Sequence, residues 1–457
     1  MTSKIVVNNI GSDTGINTVT FDSNVERGSS NLHSVGLEAA GINVLGADTP
    51  IGTGSTIYDD GGARFSGIVT ATAFHGDGSS LTGVGASFGN SSINTSGIIT
   101  ATAFVPTSQG ALSHRNKVHN GAMQISQRYG TTAYTSPNSS KNYTIDRWAY
   151  WSNQASKASV QQVTDAPVGF YNSAKCTVVS AHTAASGEWF GYTTGIEGQD
   201  IYDLAQGTAN AKSFTLSFYV KSSVTGTWAA AVRTKASSPD RSYPFNYTIN
   251  SANTWERKTI TIPGAPNGTW GTGNNEGMCI WFDLGTGSGF HQTANQWYSG
   301  NATGPSASPF IANAGATWLV TGVQLEVGPV ATPFEHRSFG DELRRCQRYY
   351  QQYVNISAVG YVPNNNARSY SHGFFFPVTM RAAPTISITN TGSSNGQYIS
   401  DGDTNRYIAS TLSSGSHTTH MSVSFNLSGD LANFRGAYLF GTTNTTYQTT
   451  YKITAEL

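Results

Sequence analysis

Charge is what this 457-residue sequence has least of. Lys, Arg, Asp and Glu make up 11% of it, against about 25% in ordinary soluble domains. The 26 basic and 26 acidic residues cancel to a net charge of zero. Phosphate backbones are bound through a basic face, so a neutral chain without basic clustering argues against nucleic acid as the partner. No run of about 20 apolar residues could form a membrane-spanning helix, and no basic start with an apolar core marks a secretory leader. Cysteines number three, Cys176, Cys279 and Cys346, with no C-x-x-C pair. That spacing excludes a disulfide framework or a zinc site and leaves buried free thiols. No cofactor is expected.

Glycine and small polar residues take the place of charge. Gly reaches 50 residues while aromatics hold at 11%. Disordered chains are poor in aromatics and carry net charge, so the composition predicts an ordered, β-rich chain. Its length allows two or more domains, each large enough to bury a core.

Residues 1–64 open with two short β-like runs, KIVVNNI and TVTF, and then drift into Gly/Ser/Asn-rich sequence. An internal repeat follows: SGIVTATAF (66–74) and SGIITATAF (96–104) agree at eight of nine positions, 30 residues apart. Between them lies the turn-rich spacer GDGSSLTGV (76–84). Two such units cannot bury their apolar faces within one chain, where about three or more are needed. Other copies of the chain would supply the missing surface. Residues 65–115 are therefore expected to form a thin homotrimeric shaft; the alternative is a pair of ordinary hairpins.

From residue 116 to 337 the period is that of strands. Phe214, Leu216, Phe218 and Val220 alternate with polar residues, as do Met278, Ile280, Phe282 and Leu284 with Cys279, Trp281 and Asp283. Trp228, Ala230 and Val232 form a third run. Gly/Pro turns separate them, which predicts two packed antiparallel sheets. In AGATWLVTGVQLEVGPVATPFEHRSFGDELRRCQRYY (314–350), the residues Leu319, Thr321, Val323, Leu325 and Val327 read as one strand face. Glu326 is then expected to point outward. Pro329 and Pro333 stop the strand. Ser338 and Asp341 form a helix start, with bases at Arg344, Arg345 and Arg348 near the end, so 338–350 reads as a linking helix. Its seam, Phe339, Leu343, Cys346 and Tyr350, either packs on its own sandwich or meets two other copies on a trimer axis; the shaft repeat favours the axis. Residues 351–457 hold shorter strands, with Met421, Val423, Phe425 and Leu427 alternating, and read as a smaller C-terminal β domain at the tip.

The run TGVQLEVGPVATPFEHRSFGDELRRCQRYY resembles the signature of phage and prophage tail-fibre proteins with a carbohydrate-binding-like β-sandwich. NGAMQISQRYG (120–130), DRW (146–148), FTLSFYVKSSVTGTW (214–228), TIPGAPNGTW (261–270), FPVTMRAAPT (376–385) and the closing ITAEL extend the likeness over roughly residues 117–457. The repeat units resemble those of marine cyanophage fibre proteins. The resemblance implies a jelly-roll sandwich and a virion protein assembled in the host cytoplasm. It further implies that the N-terminal region joins tail or baseplate proteins, and that host-surface polysaccharide or lipopolysaccharide is the receptor. A purely structural virion role, as head fibre, neck whisker or decoration protein, is the alternative.

Sugar recognition needs flat aromatic faces beside amide or carboxylate side chains. Trp189 and Tyr192 in SGEWFGYTTG, Trp270 in NGTWGTGNN, and Trp297 with Tyr298 in NQWYSGN are the candidates in the sandwich; Trp148 reads as core. Tyr370, His372, Tyr398 and Tyr407 are the candidates at the tip. Asp401, Asp403 and Asn405 begin like a calcium loop, but Arg406 and Leu412 occupy the positions of its Gly and bidentate Glu, so a turn is expected and no metal. Glycan cleavage would need two convergent carboxylates. Asp200, Asp203, Asp283, Glu326 and Glu335 are available, yet no pair is marked by spacing, and no G-x-S-x-G elbow occurs. A non-catalytic binder is the expectation. Sedimentation equilibrium should return three times the 48.5 kDa chain mass; a stable monomer would remove both the shaft and the axial helix.

Overall fold

The computed structural model describes residues 26–27, 30–31, 49–50, 55–57, 63–65, 114–137, 139–235, 237–305, 310–362, 369–391, 398–400, 405–427, 436–440 and 448–457. The chain divides into two compact units, Met1–Thr100 and Ala101–Leu457. In the first, the described residues form two small antiparallel sheets, Glu26–Arg27 with Ser30–Asn31, and Thr49–Pro50, Ser55–Ile57 and Ala63–Phe65. The repeats at 66–74 and 96–104 and the turn at 401–404 lie outside the described residues.

The second unit is all-β apart from one α-helix and short 3-10 turns among its described residues. A six-stranded sheet runs in the order Glu256–Ile262, Phe214–Ser222, Thr317–Val327, Ser173–Val178, Ala158–Val163, Tyr134–Thr135. A seven-stranded sheet runs Tyr298–Ser299, Arg241–Ile249, Gly226–Arg233, Glu276–Asp283, Phe190–Glu197, Trp148–Ser152, Lys141–Ile145. All pairings are antiparallel, and the sheets face each other as a sandwich. Phe214, Leu216, Phe218, Val220, Trp228, Val232, Met278, Ile280, Phe282 and Leu284 all face the core, as their period requires. Aromatic rings cross from sheet to sheet: Phe218 meets Phe282 edge-on at 5.0 Å and Tyr247 at 5.2 Å, and Trp318 meets Phe282 at 5.4 Å.

The strand Thr317–Val327 departs from its expected register. Trp318 and Val320 face the core, and so do Val323, Leu325 and Val327, so Leu319 and Thr321 do not belong with the later three. The reason is a bulge. Gly322 sits at φ 61, and the pairing with Phe214–Ser222 slips between Ser217 and Tyr219. One extra residue moves every following side chain to the other face. The outer face is covered as well, because the chain after Pro329 folds back over it. Glu326 is buried there, not exposed: it accepts from the Thr332 backbone (2.9 Å) and hydroxyl (2.6 Å) and from the Gln324 amide (2.9 Å).

The helix spans Phe339–Gln347, and Tyr350 already begins the strand Tyr350–Val354. The Ser338 hydroxyl accepts the Asp341 backbone N–H at 3.2 Å, the expected N-terminal cap. The sequence seam does not hold together as one stripe. Cys346 and Tyr350 are buried in the chain's own interior, Leu343 is half-buried, and Phe339 is 62% exposed. Beyond it, Tyr350–Val354, Gln448–Thr454 and Thr385–Thr391 form a three-stranded sheet. A closed barrel of Ala358–Tyr361, Ser369–Phe375, His420–Leu427, Asn405–Ser416, Tyr398–Ser400 and Gly436–Phe440 completes the C-terminal part. This part has a core of its own, around Tyr370, Met421, Val423, Phe425 and Tyr451.

A Cβ at position 322 would lie 2.7 Å from Phe170 and 2.9 Å from Tyr219, in a left-handed backbone. Gly322→Val should therefore lower unfolding stability by about 2 kcal/mol or more, measured as a lower urea midpoint at unchanged slope.

Candidate functional site

The outward face of the seven-stranded sheet carries small residues where its inward face carries large ones. Ala149, Gly191, Thr193, Ala229 and Ala231 all lie on it. The space they leave is taken by two tryptophans. Trp281 pairs with Thr193 on one side and Ala231 on the other, and its indole lies flat over Gly191, where a Cβ would come within 2.2 Å of the ring. Trp151, one strand further on, meets it edge-on at 6.1 Å. On the other side the Arg233 guanidinium stands over the Trp281 ring, 4.4 Å from its centroid.

Loops build walls around this platform. The Asn153 side chain accepts the Trp189 backbone N–H at 3.0 Å, and the Asn153 N–H donates to the Trp189 carbonyl at 3.3 Å, which fixes Trp189 beside Trp151. Asp283 accepts the backbone N–H groups of Gly285 (2.6 Å) and Thr286 (2.7 Å). That turn carries the chain into the short 3-10 turn Ser288–Phe290, whose phenyl ring meets Trp189 edge-on at 6.1 Å. The result is a pocket of about 270 Å³ lined by Trp151, Trp189, Trp281, Phe290, Arg233, Thr286 and Asn301, with Ser237 and Ser238 also on its lining. Arg233 is 2% exposed, its Nε has no hydrogen-bond partner, and it forms no ion pair among the described residues. Burial pushes its pKa down to about 10, against a partly opposing pull from Asp283.

Of the residues singled out in the sequence, Trp189 lies in this pocket. Tyr192 does not: it is fully buried on the inward face of Phe190–Glu197, stacked on Trp148 at 5.4 Å. Trp148 is core, its indole N–H donating to the Asn120 carbonyl at 3.1 Å. Trp270 and Trp297 meet edge-on at 5.7 Å, away from the pocket. Each indole N–H is held by a loop carbonyl, Asn267 at 3.3 Å and Pro263 at 2.8 Å, so both pin loops; Trp270 also lines a separate cavity of about 490 Å³ with Tyr202 and Gly207. Tyr298 sits on the edge strand, its hydroxyl bonded to Gln296. Tyr370 and His372 belong to the barrel core, not to an open loop. Tyr407 pairs with Tyr398 within the barrel; their side chains lie outside the described residues.

Trp151, Trp281, Arg233, Phe290 and Asn301 were not singled out. The signal for Trp281 was in the sequence: it alternates with Ile280 and Phe282 and so had to point away from the core.

A larger cleft of about 830 Å³ lies beside the helix, lined by His119, Asp200, Glu335, Arg337, Arg344, Arg345 and Arg348 among others. Most of its charge is engaged in holding the helix. Arg348 binds Glu197 through two contacts of 2.8 Å, and Arg337 donates to the Val118 carbonyl (3.0 Å) and to Glu342 (3.3 Å). His119 is held neutral, first by burial and then by the surrounding arginines.

No protein-family model and no curated protein matches the chain. Among solved structures, the tailspike protein 4 enzymatically active domain of bacteriophage CBA120 is 14% identical with a TM-score of 0.26, covering 46% of this chain and 21% of that one. The CBM22-1 xylan-binding domain of Paenibacillus barcinonensis Xyn10C is 11% identical (TM-score 0.21, 44% and 99% covered). The family 11 carbohydrate-binding module of a Clostridium thermocellum cellulase is 14% identical (TM-score 0.23, 46% and 99% covered).

His372 gives the C-terminal part a pH signature. Burial lowers its pKa to about 4, and neither ring nitrogen has a hydrogen-bond partner. An unfolded histidine titrates near 6.5, so between those values the unfolded chain binds more protons and stability falls as pH falls. His372→Phe should keep roughly 2–3 kcal/mol that the parent loses from pH 6.5 to pH 4, measured by urea unfolding at both pH values.

Proposed function

We propose that this chain is the subunit of a homotrimeric phage tail fibre that binds a host-surface glycan on its β-sandwich without cleaving it. The observation that carries the reading is the pocket of Trp151, Trp189, Trp281 and Phe290 on the outward face of the seven-stranded sheet. Indole and phenyl faces match the C–H faces of sugar rings, while Thr286, Ser237, Ser238 and Asn301 offer partners for hydroxyls. A half-buried Trp189 fixed at its backbone loses little freedom on binding, which favours affinity.

The fibre part of the reading rests on sequence: the repeat at 66–74 and 96–104, and the motif series from NGAMQISQRYG to ITAEL. Threefold assembly would use the helix residues the chain leaves uncovered, Phe339 and the outer side of Leu343, together with the shaft. Weak single-sugar contacts then add up, because the linked copies convert later binding events into intramolecular ones. The N-terminal region would join the virion.

The non-catalytic part rests on how the carboxylates are occupied. Glu326 holds Thr332, and Glu335 accepts the Asn116 backbone N–H at 2.9 Å; Asp283 is buried, with two backbone N–H groups on its Oδ1 alone. Asp203 pairs with Lys117 at 2.8 Å, and Asp200 lies 3.8 Å from His119 in the helix cleft.

Purified trimer should block adsorption of the parent phage to its host and release no reducing ends from host polysaccharide. Trp189→Ala should weaken that block about tenfold or more, in line with a stacking contact of 1.4 kcal/mol or above. Failure of the parent chain to bind cells or compete with phage would leave the structural virion role.

A further inference from the structure

Other arginines of this unit that are withdrawn from solvent, wholly or in part, meet counter-charges. Arg147 pairs with Glu456, Arg348 with Glu197, and Arg337 with Glu342. Arg233 breaks that pattern. It is as deeply buried as Arg147, yet its Nε has no hydrogen-bond partner and it forms no ion pair with a described carboxylate. Asp283, the acid on the neighbouring strand, has one carboxyl oxygen already engaged by the Gly285 and Thr286 N–H groups. A guanidinium withdrawn from water without a partner is costly, and it persists where the surrounding fold holds it in place. Here the fold holds it over Trp281, on the lining of the tryptophan pocket.

We propose that the pocket takes an acidic sugar, a uronate residue of a surface polysaccharide, with its carboxylate on Arg233 and its ring against Trp189 and Trp151. This rests on the reading that the tryptophan pocket is the glycan site. The planar five-donor fork of arginine matches a carboxylate in two parallel hydrogen bonds, a geometry that a neutral hydroxyl cannot reproduce. The aromatic walls exclude water around that contact and strengthen it. Trp281, covered by Gly191 on one side and by Arg233 on the other, acts as the support of the guanidinium and not as the sugar platform. The selectivity is then set by Arg233, the one cation among the described residues that line the pocket.

The test is calorimetric titration of the full chain with hexagalacturonate, with its fully methyl-esterified form, and with xylohexaose. The acid should bind about tenfold or more tightly than either neutral ligand, and the preference should shrink as salt rises. Arg233→Met should remove the preference, and Arg233→Lys, which keeps charge but loses the fork, should retain part of it. The esterified ligand leaves the protein unchanged, so the result stands even where an Arg233 variant fails to fold. Equal binding of acid and ester, or an unchanged preference in a folded Arg233→Met chain, would overturn the uronate assignment. Phage adsorption blocked by a chain that binds none of the three would also overturn it while leaving the glycan reading in place; loss of the adsorption block itself would remove that reading.

Discussion

Glu456 is the charge on which the arrangement of sandwich, helix and C-terminal part depends. Its side chain is buried between two arginines of the sandwich: Arg147, also bonded to the Gly195 carbonyl at 2.6 Å, and Arg128 at 3.0 Å. Both guanidiniums stack on the tyrosines that follow the helix, Arg147 on Tyr349 at 3.5 Å and Arg128 on Tyr350 at 3.6 Å. Arg381 then takes the Ala455 and Glu456 carbonyls, at 2.8 and 3.0 Å, from the other side. Desolvating these groups costs several kcal/mol per ion, so the knot is stable only when every member is present. A buried set of this kind specifies one docking of the parts instead of many.

The same knot gathers several of the ordered motifs of the sequence, though not those at 214–228 and 261–270. DRW contributes Arg147 and Trp148, NGAMQISQRYG contributes Asn120, Gln127 and Arg128, RRCQRYY contributes Arg348, Tyr349 and Tyr350, and ITAEL contributes Glu456. Asn120 alone donates its side-chain amide to the Ile125 and Asp146 carbonyls and its backbone N–H to the Glu342 carboxylate of the helix. These motifs are therefore the joint of the molecule, and the pocket lies outside them: Arg233, Trp151, Trp281 and Phe290 belong to none of the motif segments.

Strands at 214–220 and 278–284 were legible because a large apolar side chain recurs at every second residue and packs in the core. Tyr192 was misread because Phe190–Glu197 is buried on both faces and shows no alternation. Leu319 was misread because one glycine in a left-handed conformation shifts the register; Glu326 does lie on the outer face, but the chain after Pro329 returns to cover it. The seam Phe339, Leu343, Cys346 and Tyr350 was a spacing without a partner surface; the fold gave its second half to the chain's own interior.

Composition and periodicity by themselves determined an all-β chain with a charge-poor, aromatic-rich sandwich, one capped helix and a second β part, since these follow from local forces between neighbouring residues. The site was decided only by tertiary structure. Trp151, Trp189, Arg233, Trp281 and Phe290 are up to 139 residues apart in sequence, and of these only Trp189 was marked as a sugar contact by its own segment. They become a pocket because antiparallel pairing sets Gly191 beneath Trp281 and because Asp283 and Asn153 fix the loops around them. No local pattern encodes that meeting.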